Sequence, residues 1–368
     1  MTTVAGRSAV NPGGEQGILA TADAGASERA PRRRPRAGGW ALVLLGLLLL
    51  SVIVAVALGP ADISPADVWR SILARFGLGE SSLSPLREGI VWELRMPRVL
   101  GAAAVGAGLA ICGAIMQAVL RNPLADPYLL GLSSGASFGA VIVIVLGAAL
   151  ALPVAAFGGA VGALLLTLLV AGVAGRMTTS RTILAGVAVS AVLSALTSLV
   201  VFWSATGDTY REILGWLLGS LAGVTWPTAL LALGAIALIG LPLLLSAGTL
   251  EAFAFGDRSA ASFGIPVERA RWMLLGATAL LTGCLVAMSG SIGFVGLVVP
   301  HAVRLIAGPG HRALLPLSTL AGAVVLIWAD TLARTLFDPR ELPVGIVTAL
   351  LGGPVFMALL VLRARRNR

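Results

Sequence analysis

Lysine is absent from this 368-residue chain, and histidine, cysteine and tyrosine occur only twice each. Without lysine there is no Walker A loop, which needs its Lys on the nucleotide phosphates, so any ATP hydrolysis must come from another polypeptide. His301 and His311 form no cluster, and Cys112 and Cys284 lie far apart, so neither pair has the spacing of a metal site or a redox motif. Small buried apolar residues are the expected role of the cysteines, and structural hydrogen bonding that of the histidines. Charge is scarce as well. Only 12% of residues are charged against 57% hydrophobic, and the mean hydropathy is +0.95, which excludes a soluble domain. The apolar runs hold almost no acids. Asp330 is the exception, with Arg334 one turn further on, and such an i, i+4 pair at a helix end is usually structural. A proton relay needs more than one buried carboxylate, which disfavours a secondary, proton-coupled carrier. No catalytic triad, HExxH or cysteine cluster suggests a membrane enzyme.

What the chain does have is apolar length. Ten runs near 40–59, 98–119, 128–149, 152–174, 182–203, 228–246, 272–289, 292–307, 314–333 and 344–362 are long enough to cross a bilayer. The run at 292–307 is the weakest, being short and interrupted by Pro300. An all-α integral membrane protein with about ten transmembrane helices is therefore expected. Placing both termini in the cytoplasm puts most of the 26 arginines inside, among them Arg32, Arg33, Arg34, Arg36, Arg176, Arg181, Arg269 and Arg271. The net charge of +9 is then mainly topological, and no basic groove with interleaved aromatics points to nucleic acid. Residues 1–39, rich in Ala, Gly and Arg, read as a disordered cytoplasmic tail, residues 40–362 as the membrane domain and 363–368 as a basic tail. Arg32–Arg36 ahead of an apolar run and Ala55-Val56-Ala57 mimic a signal peptide. The run is too long for that, and cleavage would leave an odd span count, so a retained first helix is expected.

Several segments are more specific. Residues 117–127 read QAVLRNPLADP, where two prolines four residues apart end one helix and set up the next. Ala102, Gly106, Ala110 and Ala114 put a small residue at every fourth position, a stripe for close packing within one subunit or a seam beside a dimer or pathway. Ser64-Pro65-Ala66-Asp67 starts a short helix with Val68, Trp69, Ile72, Leu73 and Phe76 on its apolar face, and Thr209 to Glu212 starts another. Both are expected to lie along the membrane surface. Between 255 and 269, Asp257 can N-cap a short helix, Gly264 can end it in the left-handed region, and Pro266 can start a second. The product is a rigid exposed knob. Arg95 and Arg98 flank Pro97 at the expected start of an inward-running helix, where cations oppose the dipole; they are either snorkelling anchors or charges in use.

The RMPR at 95–98, QAVLRNPLADP at 117–127, the GSIGFVGLVVPHAVR at 290–304, His311-Arg312, Asp330 with Arg334, the LPVGI at 342–346 and the GGPVF at 352–356 follow one another in a familiar order and spacing. From about Trp40 to Leu362 the chain resembles the FecCD-type permease subunits of iron–siderophore and cobalamin ABC importers. The resemblance implies a type II ABC importer permease architecture in the plasma (inner) membrane, translocating cargo without catalysis or cofactor. It implies two ABC ATPase subunits, an extracytoplasmic substrate-binding protein and a second permease subunit, identical or not, as partners in the lipid bilayer. Ferric siderophore ranks first as cargo on family abundance, with cobalamin and haem behind. Residue by residue, it assigns Arg95, Arg98 and Arg334 to docking of the binding protein. Asp257, Ala260, Ala261 and Gly264 match the segment that couples to the ATPase. Asn122, Leu124, Thr179 and Ser180 match the cytoplasmic gate, Thr178-Thr179-Ser180 otherwise reading as a simple turn. The helix after Thr209 matches the short one that guards the outer mouth.

Overall fold

The computed structural model describes residues 37–148, 152–173, 179–204 and 206–366, with backbone alone at 179, 360 and 362–366. Most of the expected tail, Arg176 and Thr178 fall outside them. The described residues are helix and turn, without a strand. In chain order the helices are α1 (Ala37–Ala57), α2 (Pro65–Arg75), α3 (Pro85–Gly89), α4 (Met96–Val119), α5 (Leu132–Val145), α6 (Leu152–Val173), α7 (Thr179–Ser204) and α8 (Gly207–Leu217). They continue with α9 (Trp226–Ala235), α10 (Leu241–Leu244), α11 (Ala247–Ala254), α12 (Asp257–Ser262), α13 (Val267–Ser289), α14 (Val295–Ala307), α15 (His311–Thr335) and α16 (Val344–Arg366). Among the described residues seven helical stretches are long and apolar enough to cross a membrane, and three shorter apolar helices stand where the other spans were expected, at Leu132–Val145, Val295–Ala307 and Val344–Leu359. Helix α1 already includes residues 37–39, and α16 runs on to Arg366, so helix covers ground expected to be tail at both boundaries.

Helix α4 forms the centre, packed on α15, α14, α13 and α9. Its small residues allow this. Ala102, Gly106, Ala110 and Ala114 are all buried, and a Cβ on Gly106 would overlap the Gly322 carbonyl of α15. Gly113 meets Gly296 of α14 in the same way. The stripe is therefore a packing seam inside one subunit, where backbones approach closely in the absence of a hydrophobic drive between helices.

Two prolines were misread from sequence. Pro97 does not open a helix: α3 leads through a π-helical turn, Ile90–Arg95, straight into α4, giving one helical stretch from Pro85 to Val119. A proline lacks an N–H and its ring crowds the carbonyl four residues back, and the wide turn, closed by Met96 N–H to Val91 O, moves that carbonyl aside. Pro242 shows the same arrangement, preceded by the π turn Ile236–Gly240. Pro300, by contrast, lies within α14 without ending it. The interruption falls just before, at 290–294, where Gly290 and Phe294 both have positive φ. Irregular backbone of this kind is tolerated in a membrane protein where protein surrounds it.

The two short helices expected along the surface are present. Ser64 caps α2, its hydroxyl accepting from the Asp67 N–H at 3.2 Å. Val68 is buried, whereas Trp69 and Phe76 face outward. Helix α8 begins earlier than expected, at Gly207 with Thr206 as its cap, which places Thr209 inside the first turn.

Candidate functional site

Three polar clusters hold most of the residues singled out in the sequence. The first lies where α1 ends, α4 begins and α15 ends. The last carbonyls of a helix have no partner within it, and here arginines supply one. Arg95 donates to Val56 O and Ala57 O, both at 2.9 Å, and to Ala61 O at 3.2 Å; Arg334 donates to Ala55 O. Gly59 leaves room for this, since a Cβ there would stand 2.6 Å from Arg95 Nη2. Arg98 forms a fork on Asp330, with Nε and Nη2 at 2.9–3.1 Å from its carboxylate, and its Nη1 reaches Glu341 at 2.8 Å. Asp330 is buried, and the Glu341 side chain is about half exposed.

The three arginines expected to act together are thus neighbours, but they are only 6–9% exposed and bonded inward. Arg95 and Arg98 sit well inside a helical stretch, so the cost assumed for cations at its N-terminus does not arise. Arg95 and Arg334 instead favour the negative end of α1. Asp330 pairs with Arg98 across helices rather than serving as a local partner for Arg334. Glu341 was missed. Its proximity to the LPVGI string was the available signal.

The second cluster is the knob at the opposite end of the bundle. Gly256, at φ 102°, caps α12, and Asp257 is its first residue rather than its cap. Gly264, at φ 78°, turns the chain in the left-handed region, with its N–H on Ala261 O at 2.9 Å. No second short helix follows. From Val267 the chain enters α13 directly. Ala260 is buried, whereas Ala261, Gly264 and Phe263 are exposed. Asp257 is the tie. It pairs with Arg121, and it accepts from Arg271 at 3.0 Å on both oxygens. Arg121, itself in the left-handed region, also donates to Phe253 O at 3.1 Å, and Arg271 lies 5.9 Å over the Phe253 ring. Partial burial alone would raise the Asp257 carboxyl, but the hydrogen bond from Arg271 and the charges of Arg271 and Arg121 hold it below its ordinary value.

The third cluster joins the 121–128 turn to the break before α14. Asn122 accepts from the Leu124 N–H at 2.9 Å, and Asp126 caps a 3-10 turn by accepting from the Tyr128 N–H at 2.8 Å. Enclosure pushes the Asp126 carboxyl up to about 6, the Tyr128 N–H pulling the other way. Tyr128 donates its hydroxyl to Ile292 O at 3.0 Å, and Ser133 meets Ser291 at 2.8 Å. Gln117 donates to Leu297 O at 3.2 Å and accepts from Arg304 at 3.0 Å. Of the expected gate residues, Asn122 and Leu124 share this turn, with Leu124 exposed; Ser180 is exposed at the start of α7, and the Thr179 side chain lies outside the described residues. Cys112 is buried against Thr278 O, and among the described residues no group of His, Cys, Asp and Glu is placed to hold a metal.

A central helix packed through glycines, a helix broken at 290–294 and a knob tied to the 121–128 turn can be compared with known proteins as a whole. The FecCD transport family profile matches residues 47–362. This chain belongs to the FecCD transport family. It is 42% identical over 87% of its length to the vitamin B12 import system permease protein BtuC of Vibrio cholerae, covering 92% of that protein. To an uncharacterized ABC transporter permease protein of Bacillus subtilis, YvrB, it is 41% identical, with 92% of this chain and 98% of that one covered. A solved structure described as an inward-facing conformation of a transporter assigned to the metal-chelate ABC type superposes with a TM-score of 0.79 at 31% identity. It covers 88% of this chain and 99% of that one. The fold alone extends to a complex of PsaBC from Streptococcus pneumoniae with a Fab, at TM-score 0.53 and 18% identity. The FecCD chain is thus a multi-pass membrane permease subunit of an ABC importer.

Proposed function

We propose that this permease imports a bulky organic metal chelate, cobalamin or a ferric siderophore, delivered by an extracytoplasmic binding protein and driven by two ATPase subunits. The observation that carries this reading is the 42% identity to a vitamin B12 permease over 92% of that protein's length. Ferric siderophore, first on family abundance, is the second member of the same chelate class. The permease works as a dimer, with both termini in the cytoplasm on the arginine distribution. The chain performs no covalent chemistry. Alternating access moves the cargo, and the mechanical path starts at α12, which the ATPase moves. Asp257 and Arg121 carry that motion to the 121–128 turn, and Tyr128 carries it to the broken segment at Ile292. Asn122 and Leu124, with Thr179 and Ser180 of each subunit, narrow the exit.

Of Arg95, Arg98 and Arg334, the residues expected to dock the binding protein, Arg98 is the one assigned that role here. Arg95 and Arg334 hold α1, and the exposed partner of Arg98 is Glu341, so an acidic group of the binding protein takes the place Glu341 fills at rest. Uptake of radiolabelled cobalamin and of ferric siderophores into proteoliposomes holding the whole importer tests the cargo. Accumulation of one chelate and not of the free metal ion supports the reading. Transport of the free metal ion alone would remove it.

A further inference from the structure

A groove of about 600 Å³ runs between α13 on one wall and the segment from Leu238 to Thr249 on the other. Its two ends differ. At the end near α12 it is bounded by Arg269, Ser246 and Thr249; at the far end only apolar side chains remain, among them Leu238 and Leu280. Arg269 is exposed and makes no hydrogen bond or ion pair among the described residues, in contrast to Arg271 two positions on. Arg269 and Leu280 are eleven residues apart on one helix, about 16 Å at 1.5 Å per residue. That is close to half the roughly 30 Å hydrocarbon core of a bilayer. The wide turn at Ile236–Gly240 lies on the opposite wall, where it precedes Pro242.

We propose that this groove binds one anionic phospholipid, its phosphate on Arg269 with the hydroxyl of Thr249, since that of Ser246 is donated to Leu243 O, and one acyl chain along Met273, Ala277 and Leu280. The order of the lining, charged, then hydroxyl, then apolar over one leaflet's depth, is the order of the lipid itself. A basic residue beside an apolar channel between spans favours an anionic headgroup over a zwitterionic one. The site adjoins the start of α13 immediately after the knob, so an occupying lipid packs against the element that follows Gly264. The inference needs only that the chain spans a bilayer and does not depend on the cargo.

The test uses the full chain, purified in mild detergent and stripped of lipid, with lipid retention read by native mass spectrometry. Palmitoyl-oleoyl phosphatidylglycerol is titrated against phosphatidylcholine carrying the same acyl chains. Phosphatidylglycerol should be retained more tightly, and Arg269→Gln should lower that preference roughly fivefold, the effect of one basic residue at an anionic headgroup. Arg258→Gln, at an exposed arginine outside the groove, should leave it unchanged, and Met273→Trp should weaken retention of both lipids by filling the groove. Equal retention of the two lipids by the parent chain, or equal effects of the two arginine substitutions, would overturn the proposal. So would release of phosphatidylglycerol by inorganic phosphate alone, which would make this a simple anion site. Loss of a second copy of the chain on Met273→Trp, with lipid retention intact, would make the groove a subunit seam instead.

Discussion

Arg98 faces two carboxylates in different surroundings, and the difference predicts different consequences. Asp330 is buried, and truncating it leaves a buried guanidinium without its forked partner. Asp330→Ala should therefore cost about 3–5 kcal/mol, read as a loss of unfolding free energy in detergent. Glu341 is half exposed, and Glu341→Gln should cost less than about 1 kcal/mol. If Arg98 is the docking residue, the same substitution should speed association with the binding protein, most visibly at low salt. Asp126 gives a pH signature. Its folded carboxyl titrates near 6, above the ordinary 3.8, so the native state holds the proton more tightly. The stabilisation is fully present below 3.8 and lost as pH rises through about 6. Asp126→Asn, which can still accept from the Tyr128 N–H, should gain in melting temperature above about pH 7, and the gain should shrink toward pH 4. A sequence shows which arginines are out of place among apolar residues, and Arg95, Arg98 and Arg334 do cluster. It does not show the acceptors, because the carbonyls of Ala55, Val56 and Ala57 carry no residue-type signal.

At the scale of elements, seven spans among the described residues were legible because their length follows from bilayer thickness, whereas three shorter apolar helices were readable only as apolar runs. Where helices bend, break or start was less so. Pro97 has the same sequence signature at a first turn as after a π turn, and only the wide turn behind it distinguishes the two. The break at 290–294 left a signal in Gly290 and Gly293, yet Pro300 drew attention away from it. Packing seams are readable as small residues, and their partners are not. Gly106→Ala should push α4 off the Gly322 backbone and cost about 1–3 kcal/mol. Gly276→Ala, in open space on α13, should be neutral or stabilising by up to about 1 kcal/mol. Equal unfolding free energies for the two variants would remove the seam argument. The knob tests differently. Gly264 has open space around it but a φ of 78°, so a β-branched side chain strains the turn without a clash. Gly264→Val should loosen ATPase association in a pull-down while leaving membrane insertion intact.

The described residues from 37 onward form a helical bundle with polar ties at both ends of α4 and a helix broken at 290–294. Cations hold the end of α1 in place at one end, and Asp257 fastens α12 to the 121–128 turn at the other. Under the proposed coupling, motion delivered to α12 passes through the Asp257–Arg121 pair, along the covalent 121–128 turn, and through the Tyr128 hydroxyl to the irregular backbone at Ile292. A carrier driven by an ion gradient would instead need titratable groups linked along its path, whereas the carboxylates of Asp330 and Asp126 are held at opposite ends of α4. The deciding measurement is therefore chelate uptake by proteoliposomes containing the permease, its ATPase and its binding protein, with ATP inside or with an imposed proton gradient alone. The account predicts accumulation only with ATP, and its loss in Gly264→Val. Accumulation driven by the proton gradient in vesicles lacking the ATPase would contradict it.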